Sequence, residues 1–243
     1  MYHICCWSGG VDSTATILLA RQFNEPLDEI IFSEVMFDLE NNISGENPRH
    51  IKFIREVAIP LFESWGYRVT ILRADSDYLH SFYRIIERPL IHKEHKGMHF
   101  GFPVFGRCGI KRDLKVKPIT EYCKRFGDDT IFYHGICADE PKRLVSMHKK
   151  PNTISLLEKY DIAHSMAKEI CSNNGLLSPV YQFTNRGGCW FCPNSKILEF
   201  EDIKKTYPDV WKRFVNLESQ PNVAFNKFNT ITKITLKDID NMV

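Results

Sequence analysis

Apolar and polar positions along this chain follow the rhythm of strand, helix, strand. Residues 2–7 form an apolar run short enough for a buried strand, and residues 15–23 carry helical spacing. Residues 29–37 read as a second strand that leads into Met36-Phe37-Asp38. Residues 47–65 predict a long amphipathic helix, with Ile51, Ile54, Val57, Ala58, Leu61 and Phe62 near helical spacing. Pro60 should bend that helix and Gly66 should stop it, ahead of a third strand over residues 67–72. Strands alternating with helices imply right-handed crossovers and a parallel sheet with helices on both faces.

Further on, residues 75–87 read as a helix, and residues 92–107 as a polar, glycine-broken loop. His92, His95 and His99 in this loop read as surface histidines, because Lys93, Glu94 and Lys96 around them look solvated and no acidic or cysteine ligand completes a set. Residues 128–137 predict a fourth strand, and residues 155–171 a helix closed by Asn173-Asn174-Gly175. The remainder alternates polar helix-like and apolar patches. The organisation expected is one α/β domain over residues 1–194 with a small helical cap over 195–243.

Composition narrows the function classes. A chain of 243 residues with 43% apolar and 26% charged content can bury a good α/β core. A net charge of +2 makes no global case for nucleic acid, so any basic binding surface has to be local. The N-terminal apolar run reads as a strand without a basic leader, and no apolar stretch is long enough to span a membrane. A cytoplasmic protein is expected, in which the eight cysteines are buried, metal-binding or redox-active in preference to disulfide-bonded.

The most informative stretch is Ser8-Gly9-Gly10-Val11-Asp12-Ser13-Thr14, between the first strand and the first helix. Two glycines let backbone approach a ligand closely, and a helix N-terminus favours an anion. Ser8, Asp12, Ser13 and Thr14 add polar side chains, and Asp12 has the chemistry to hold a Mg²⁺ that bridges phosphates. The Walker pattern is different, with a longer glycine loop ending in Gly-Lys-Ser/Thr. The stretch resembles the Ser-Gly-Gly-x-Asp-Ser signature of the PP-loop family, the ATP pyrophosphatases and adenine-nucleotide α-hydrolases, and matches all six of its positions. The resemblance implies an adenine-nucleotide-α-hydrolase-like (Rossmann-like) sandwich, with Ser8, Gly9, Gly10, Val11, Asp12 and Ser13 on the nucleotide. Open sheets of this kind bind ligands beyond the strand C-termini. That rule brings Val35, Met36 and Asp38 towards an adenine and ribose; Asp38 reads equally well as a turn residue. The 92–107 loop would cover the nucleotide.

Two further stretches resemble the phosphoadenosine phosphosulfate (PAPS) reductase branch of that superfamily. One runs from Arg107-Cys108-Gly109 through Lys111, Arg112 and Leu114 to Pro118, with five basic residues in eleven positions: a local anion patch, or a solvated helix face. The other is Gly135-Ile136-Cys137-Ala138-Asp139-Glu140 followed by Arg143, which by resemblance puts Asp139, Glu140 and Arg143 at the active-site mouth. Cys137 itself reads as a small buried hydrophobe.

Cys189-Trp190-Phe191-Cys192, led by Gly187-Gly188, has the spacing with which two thiolates grip one zinc or one iron–sulfur cluster. A redox dithiol and a pair of packed thiols are the alternatives. The resemblance adds Cys108 as a third ligand, and three cysteines with one open position favour a [4Fe-4S] cluster over Zn²⁺. Cys5 and Cys6 read as core. Cys123 and Cys171 are candidates for a fourth ligand that no motif supports.

The resemblance spans residues 2–194 and implies an enzyme that binds ATP with Mg²⁺, adenylates a substrate and releases pyrophosphate. Asp12, Ser13, Lys111, Arg112 and Arg143 would act on the phosphates. The adenylated carbon would then accept sulfur, as in a sulfurtransferase or a nucleobase-modifying enzyme. A PAPS reductase-like oxidoreductase is the runner-up. It departs from the family pattern, because no cysteine follows Cys192 where those reductases carry a nucleophilic one. A third reading is a non-catalytic nucleotide-binding partner protein. Partners compatible with these readings are an adenine nucleotide, a sulfur donor or thiol-reductant protein, a nucleic-acid substrate and a second copy of the chain.

Overall fold

The computed structural model describes residues 1–103, 108–184, 187–228 and 234–242. Nine strands lie among them: β1 (His3–Trp7), β2 (Glu29–Ser33), β3 (Met36–Asp38), β4 (Ile43–Ser44), β5 (Arg68–Leu72), β6 (His99–Gly101), β7 (Ile131–Tyr133), β8 (Thr153–Ile154) and β9 (Val223–Phe225). They and the helices pack as two compact units interleaved along the chain. The first comprises Met1–Ser33, Pro48–Leu72 and Pro118–Gly187; the second comprises Glu34–Asn47, Arg73–Lys117 and Gly188–Val243.

The first unit is built on a five-stranded sheet of order β5-β2-β1-β7-β8, every pair parallel. This is an α/β fold of the Rossmann-like kind. From β1 the chain steps to β2 and β5 on one side, and returns later to place β7 and β8 on the other. Sheet order therefore reverses at β1, and a crevice opens between the carboxyl ends of β1 and β7. Helix α1 (Val11–Gln22) is buried almost all round, with Ala15, Ile17 and Leu19 at 1% exposure or less. Such a helix shows little of the polar face that an amphipathic surface helix would carry. Trp7 packs on Phe32 and edge-on against Phe62 in the same core.

The helix expected over residues 47–65 forms as Pro48–Phe53, a π turn over Ile54–Ala58, and Ile59–Ser64. Ile59 N–H donates to the Ile54 carbonyl, five residues back. The bend expected at Pro60 takes this form because proline has no N–H to offer Glu56 and its ring crowds that carbonyl. Gly66, at φ 88°, ends the helix as expected, with its N–H on the Glu63 carbonyl at 2.9 Å.

Several expected elements are shorter or divided. The second strand stops at Ser33, because Glu34 is a buried carboxylate held by Arg73 at 2.9 Å. Met36–Asp38 is a separate strand in the second unit, antiparallel to β4. Only Tyr78–Tyr83 of residues 75–87 is helical, starting where the Asp77 carboxylate accepts the His80 N–H. The fourth strand shrinks to Ile131–Tyr133. The 155–171 helix divides into Leu156–Lys159 and His164–Asn173, broken where Asp161 turns to φ 53°. Gly175, at φ 68°, closes the latter as expected.

The second unit gathers an aromatic core that includes Phe37, Tyr78, Trp190, Phe191, Phe214 and Phe228. Around it lie the helices Ile197–Thr206, Pro208–Asn216 and Leu236–Met242, with β9 parallel to β6. The expected helical cap is thus part of a larger body that also takes residues 34–47 and 73–117. The compact units do not divide at residue 194. Among the described residues no helix is long and apolar enough to cross a membrane.

Candidate anion site and cysteine cluster

The first unit carries a cavity of about 360 Å³ at the reversal point of its sheet. The Ser8–Ser13 loop forms one side; Gly135, Ile136, Arg143 and His164 contribute to the other. The loop turns at Gly9, φ 75°, and α1 starts at Val11 after Gly10, a cap residue without a side chain. Ser13 Oγ ties the loop together: it accepts the Ser8 N–H at 3.1 Å and donates to the Gly10 carbonyl at 3.2 Å. The loop is fitted closely to its surroundings. A Cβ on Gly9 would sit 2.7 Å from His50 Nε2, and one on Gly135 would sit 2.5 Å from the Ser13 nitrogen.

Three side chains that support this loop come from segments to which no motif pointed. Tyr181 Oη accepts the N–H groups of Val11 and Gly187, each at 3.3 Å. His50 is fully buried, with Nδ1 2.8 Å from Ser178 Oγ. His164, the first residue of its helix, holds Asp12 Oδ1 at 2.7 Å through Nδ1. Their only sequence signal is a polar or aromatic residue near an element boundary, which is too common to single out.

Of the sequence candidates, Ser8, Gly10, Val11, Asp12, Ser13 and Arg143 all line this cavity. Arg143 is paired with Glu140 at 2.5 and 2.7 Å, and Glu140 also accepts the Cys137 N–H at 3.1 Å. Asp139 accepts the His164 backbone N–H at 3.2 Å. Cys137, read from sequence as a small buried hydrophobe, is indeed buried, but its Sγ donates to Asp12 Oδ1 at 3.2 Å. Burial and then the Asp12 carboxylate raise its pKa far above the ordinary thiol range. His134, also at the cavity, is held below the usual histidine value by burial and by Lys150 and Arg143.

Met36, Asp38, Lys111 and Arg112 belong to the second unit. Asp38 is buried and engaged, accepting from Asn41 and from Arg213 at 2.8 Å. Arg112 is exposed and bound to its neighbour Asp113 at 2.7 Å, which is the solvated-face alternative for that residue. Arg107 lies outside the described residues.

The second unit also holds Cys108, Cys189 and Cys192. Trp190 and Phe191, between the last two, are buried; the Trp190 indole donates to the Ser44 carbonyl at 2.9 Å, and Phe191 packs on Gly45. The intervening pair thus pins the turn while both cysteines remain part-exposed. Burial, and then the Glu46 carboxylate, push the Cys189 thiol well up, and Lys115 opposes them. Lys115 pairs with buried Glu46 at 3.2 Å; burial pulls its pKa down, but Glu46 and Cys189 leave it raised. Cys192 and Cys108 are near enough to Cys189 to act on it electrostatically, so the three thiols are neighbours. A buried polar atom points to an occupant: Tyr78 Oη has no hydrogen-bond partner among the described residues, and all three thiols act on it electrostatically. Cys123 and Cys171 belong to the first unit. Burial raises their thiols to about 11 and about 12, and Cys171 Sγ donates to the Val11 carbonyl.

The histidine loop differs from expectation in one respect. Glu94 reaches His92 Nδ1 at 3.0 Å, and its carboxylate, His92 and His95 draw within 4.8 Å of one another. All three are on the surface or close to it. No family model and no curated protein matches this chain.

Proposed function

We propose that the first unit binds the phosphates of an adenine nucleotide, ATP in the leading reading, and that the protein adenylates a substrate for sulfur transfer or nucleobase modification. The observation that carries this reading is the cavity at the sheet reversal, where the Ser8–Ser13 loop, the N-terminus of α1 and Arg143 meet. Phosphate oxygens seated there would accept hydrogen bonds from backbone N–H groups of the loop and be favoured by the helix dipole. Arg143 would exchange Glu140 for the phosphate and offset charge on it. A substrate oxygen attacking the α-phosphorus in line would break the bond to the bridging oxygen, and pyrophosphate would leave with the bonding pair. Asp12 offers a carboxylate for Mg²⁺, which supplies charge neutralisation on the phosphates when bound.

The donor set of Cys108, Cys189 and Cys192, with the unpartnered Tyr78 hydroxyl beside it, fits a three-cysteine [4Fe-4S] cluster. Such a cluster supplies an open iron for a sulfur atom. Titration calorimetry of the full chain with Mg-ATP, pyrophosphate and PAPS tests the nucleotide reading. One ATP per chain, displaced by pyrophosphate and weakened at least about tenfold by Ser13→Ala, is expected. Absence of ATP binding together with sulfite release from PAPS would replace this reading with the reductase.

A further inference from the structure

Beside the loop, three side chains of different chemistry converge from separate segments. Asp12 sits in the first turn of α1, Cys137 follows β7, and His164 opens the Ile162-proximal helix His164–Asn173. Asp12 Oδ1 lies 2.7 Å from His164 Nδ1 and 3.2 Å from Cys137 Sγ, and the three ligand atoms are all within 4.8 Å of one another. Asp12 and His164 line the phosphate cavity, whereas Cys137 is fully buried behind them.

We propose that Asp12, Cys137 and His164 form a site for a borderline divalent transition ion, zinc in the first instance, with a fourth position open to the phosphate cavity. One thiolate, one imidazole and one carboxylate is a set that Mg²⁺ does not favour and zinc does. Three protein ligands with one open position is the pattern of zinc sites that exchange a ligand. Tetrahedral bonds of ordinary length would set the oxygen–nitrogen and oxygen–sulfur edges at roughly 3.3 and 3.5 Å. The two separations from Asp12 Oδ1 therefore need to open by only about half an ångström.

The surroundings hold each ligand in place. Asp139 accepts the backbone N–H of His164, and Glu140 accepts that of Cys137. Gly135 lies against the backbone of Asp12 and Ser13 so closely that no side chain fits between them. Such outer contacts fix ligand direction in metal sites. On binding, the Cys137 proton passes from the thiol to solvent, and a thiolate and a carboxylate then offset the ion's two charges. The fourth position would take water or a phosphate oxygen. The site does not rest on the nucleotide reading, because its ligands converge without a nucleotide.

The test is equilibrium dialysis of the full chain against zinc with no nucleotide present, followed by cobalt substitution. Changing Cys189→Ser, Cys192→Ser and His92→Gln together removes the other thiol site and the surface histidine group from the count. That variant should retain one zinc per chain and show a thiolate-to-cobalt charge-transfer band. Adding Cys137→Ser should abolish the band, and adding His164→Gln should weaken zinc at least about tenfold. His164 is half-exposed, so its variant reports even if the Cys137 change perturbs folding. Failure of this background variant to bind zinc, or zinc binding that survives the His164 change undiminished, would overturn the proposal. Zinc is measured here without nucleotide, so either result is read separately from the ATP titration, even though both readings draw on the Asp12 carboxylate.

Discussion

Gly135→Ala is the sharpest test of how the loop is held. Its added Cβ would lie 2.5 Å from the Ser13 nitrogen, 2.7 Å from the Asp12 carbonyl carbon and 2.8 Å from the Ser13 Cα. Ordinary contact begins at 3.4 Å, so the first turn of α1 has to retreat by about 0.9 Å. All three atoms are backbone, so no rotamer change relieves the clash. Overpacking of this kind costs about 1–3 kcal/mol, and a clash against backbone on three sides belongs at the upper end. The loss of glycine's freedom in the unfolded chain returns up to about 1 kcal/mol. The net is about 2 kcal/mol, or about 4–8 °C in Tm for a chain of this size. Displacing the loop by about 1 Å should also cost roughly a hundredfold in any reaction that uses it. The assay is thermal unfolding beside Mg-ATP titration, with Gly188→Ala as the control, since its Cβ would meet nothing within 4 Å. A Gly135→Ala protein that melts with the wild type and binds ATP as tightly would refute the close-fit argument.

Other expectations follow from the buried charges and thiols. Lys115→Met strands the Glu46 carboxylate and should cost about 3 kcal/mol in denaturant unfolding, part of which Glu46→Gln in the same chain should restore; equal stability of the single and double variants would contradict this. His134 is held below its usual value of 6.5, so the fold prefers the neutral ring. Its contribution is therefore complete above about pH 6.5 and declines as pH falls from there towards the depressed folded value. Unfolding free energies measured across that window should fall with pH in the wild type and be flatter in His134→Gln. Anaerobic purification should yield a brown protein with about four irons, lost in Cys189→Ala; no iron and a zinc that is lost in Cys189→Ala would make the cysteine site structural instead.

Local patterns were legible wherever a single element decides its own conformation. The strand at residues 3–7, the glycine turn, the helix stops at Gly66 and Gly175 and the parallel sheet all follow from spacing, glycine and proline chemistry. The break at Ser33, the helix split at Asp161 and the short β7 were not legible. Each depends on a partner distant in sequence or on a left-handed residue that periodicity does not register. Residues 29–37 read as one apolar strand because periodicity registers apolarity alone. Glu34 is buried against Arg73, an ion pair that only tertiary folding creates.

The same division holds for the site. By itself the sequence determined the Ser8–Ser13 turn, because its residues are contiguous and a strand–glycine–helix turn carries its own backbone donors and dipole. It also marked Arg143, Asp139 and Glu140 by a short stretch after β7. Tertiary structure alone decided which strand end faces the loop, since the reversal of sheet order at β1 depends on long-range pairing. It alone brought Tyr181 under Val11 and His50 under Gly9, and set Cys137 and His164 on one oxygen of Asp12. Those contacts join residues more than a hundred positions apart, in several cases, and no local propensity encodes them. They exist only once burial of the sheet's apolar surface has paid the entropy of bringing the segments together.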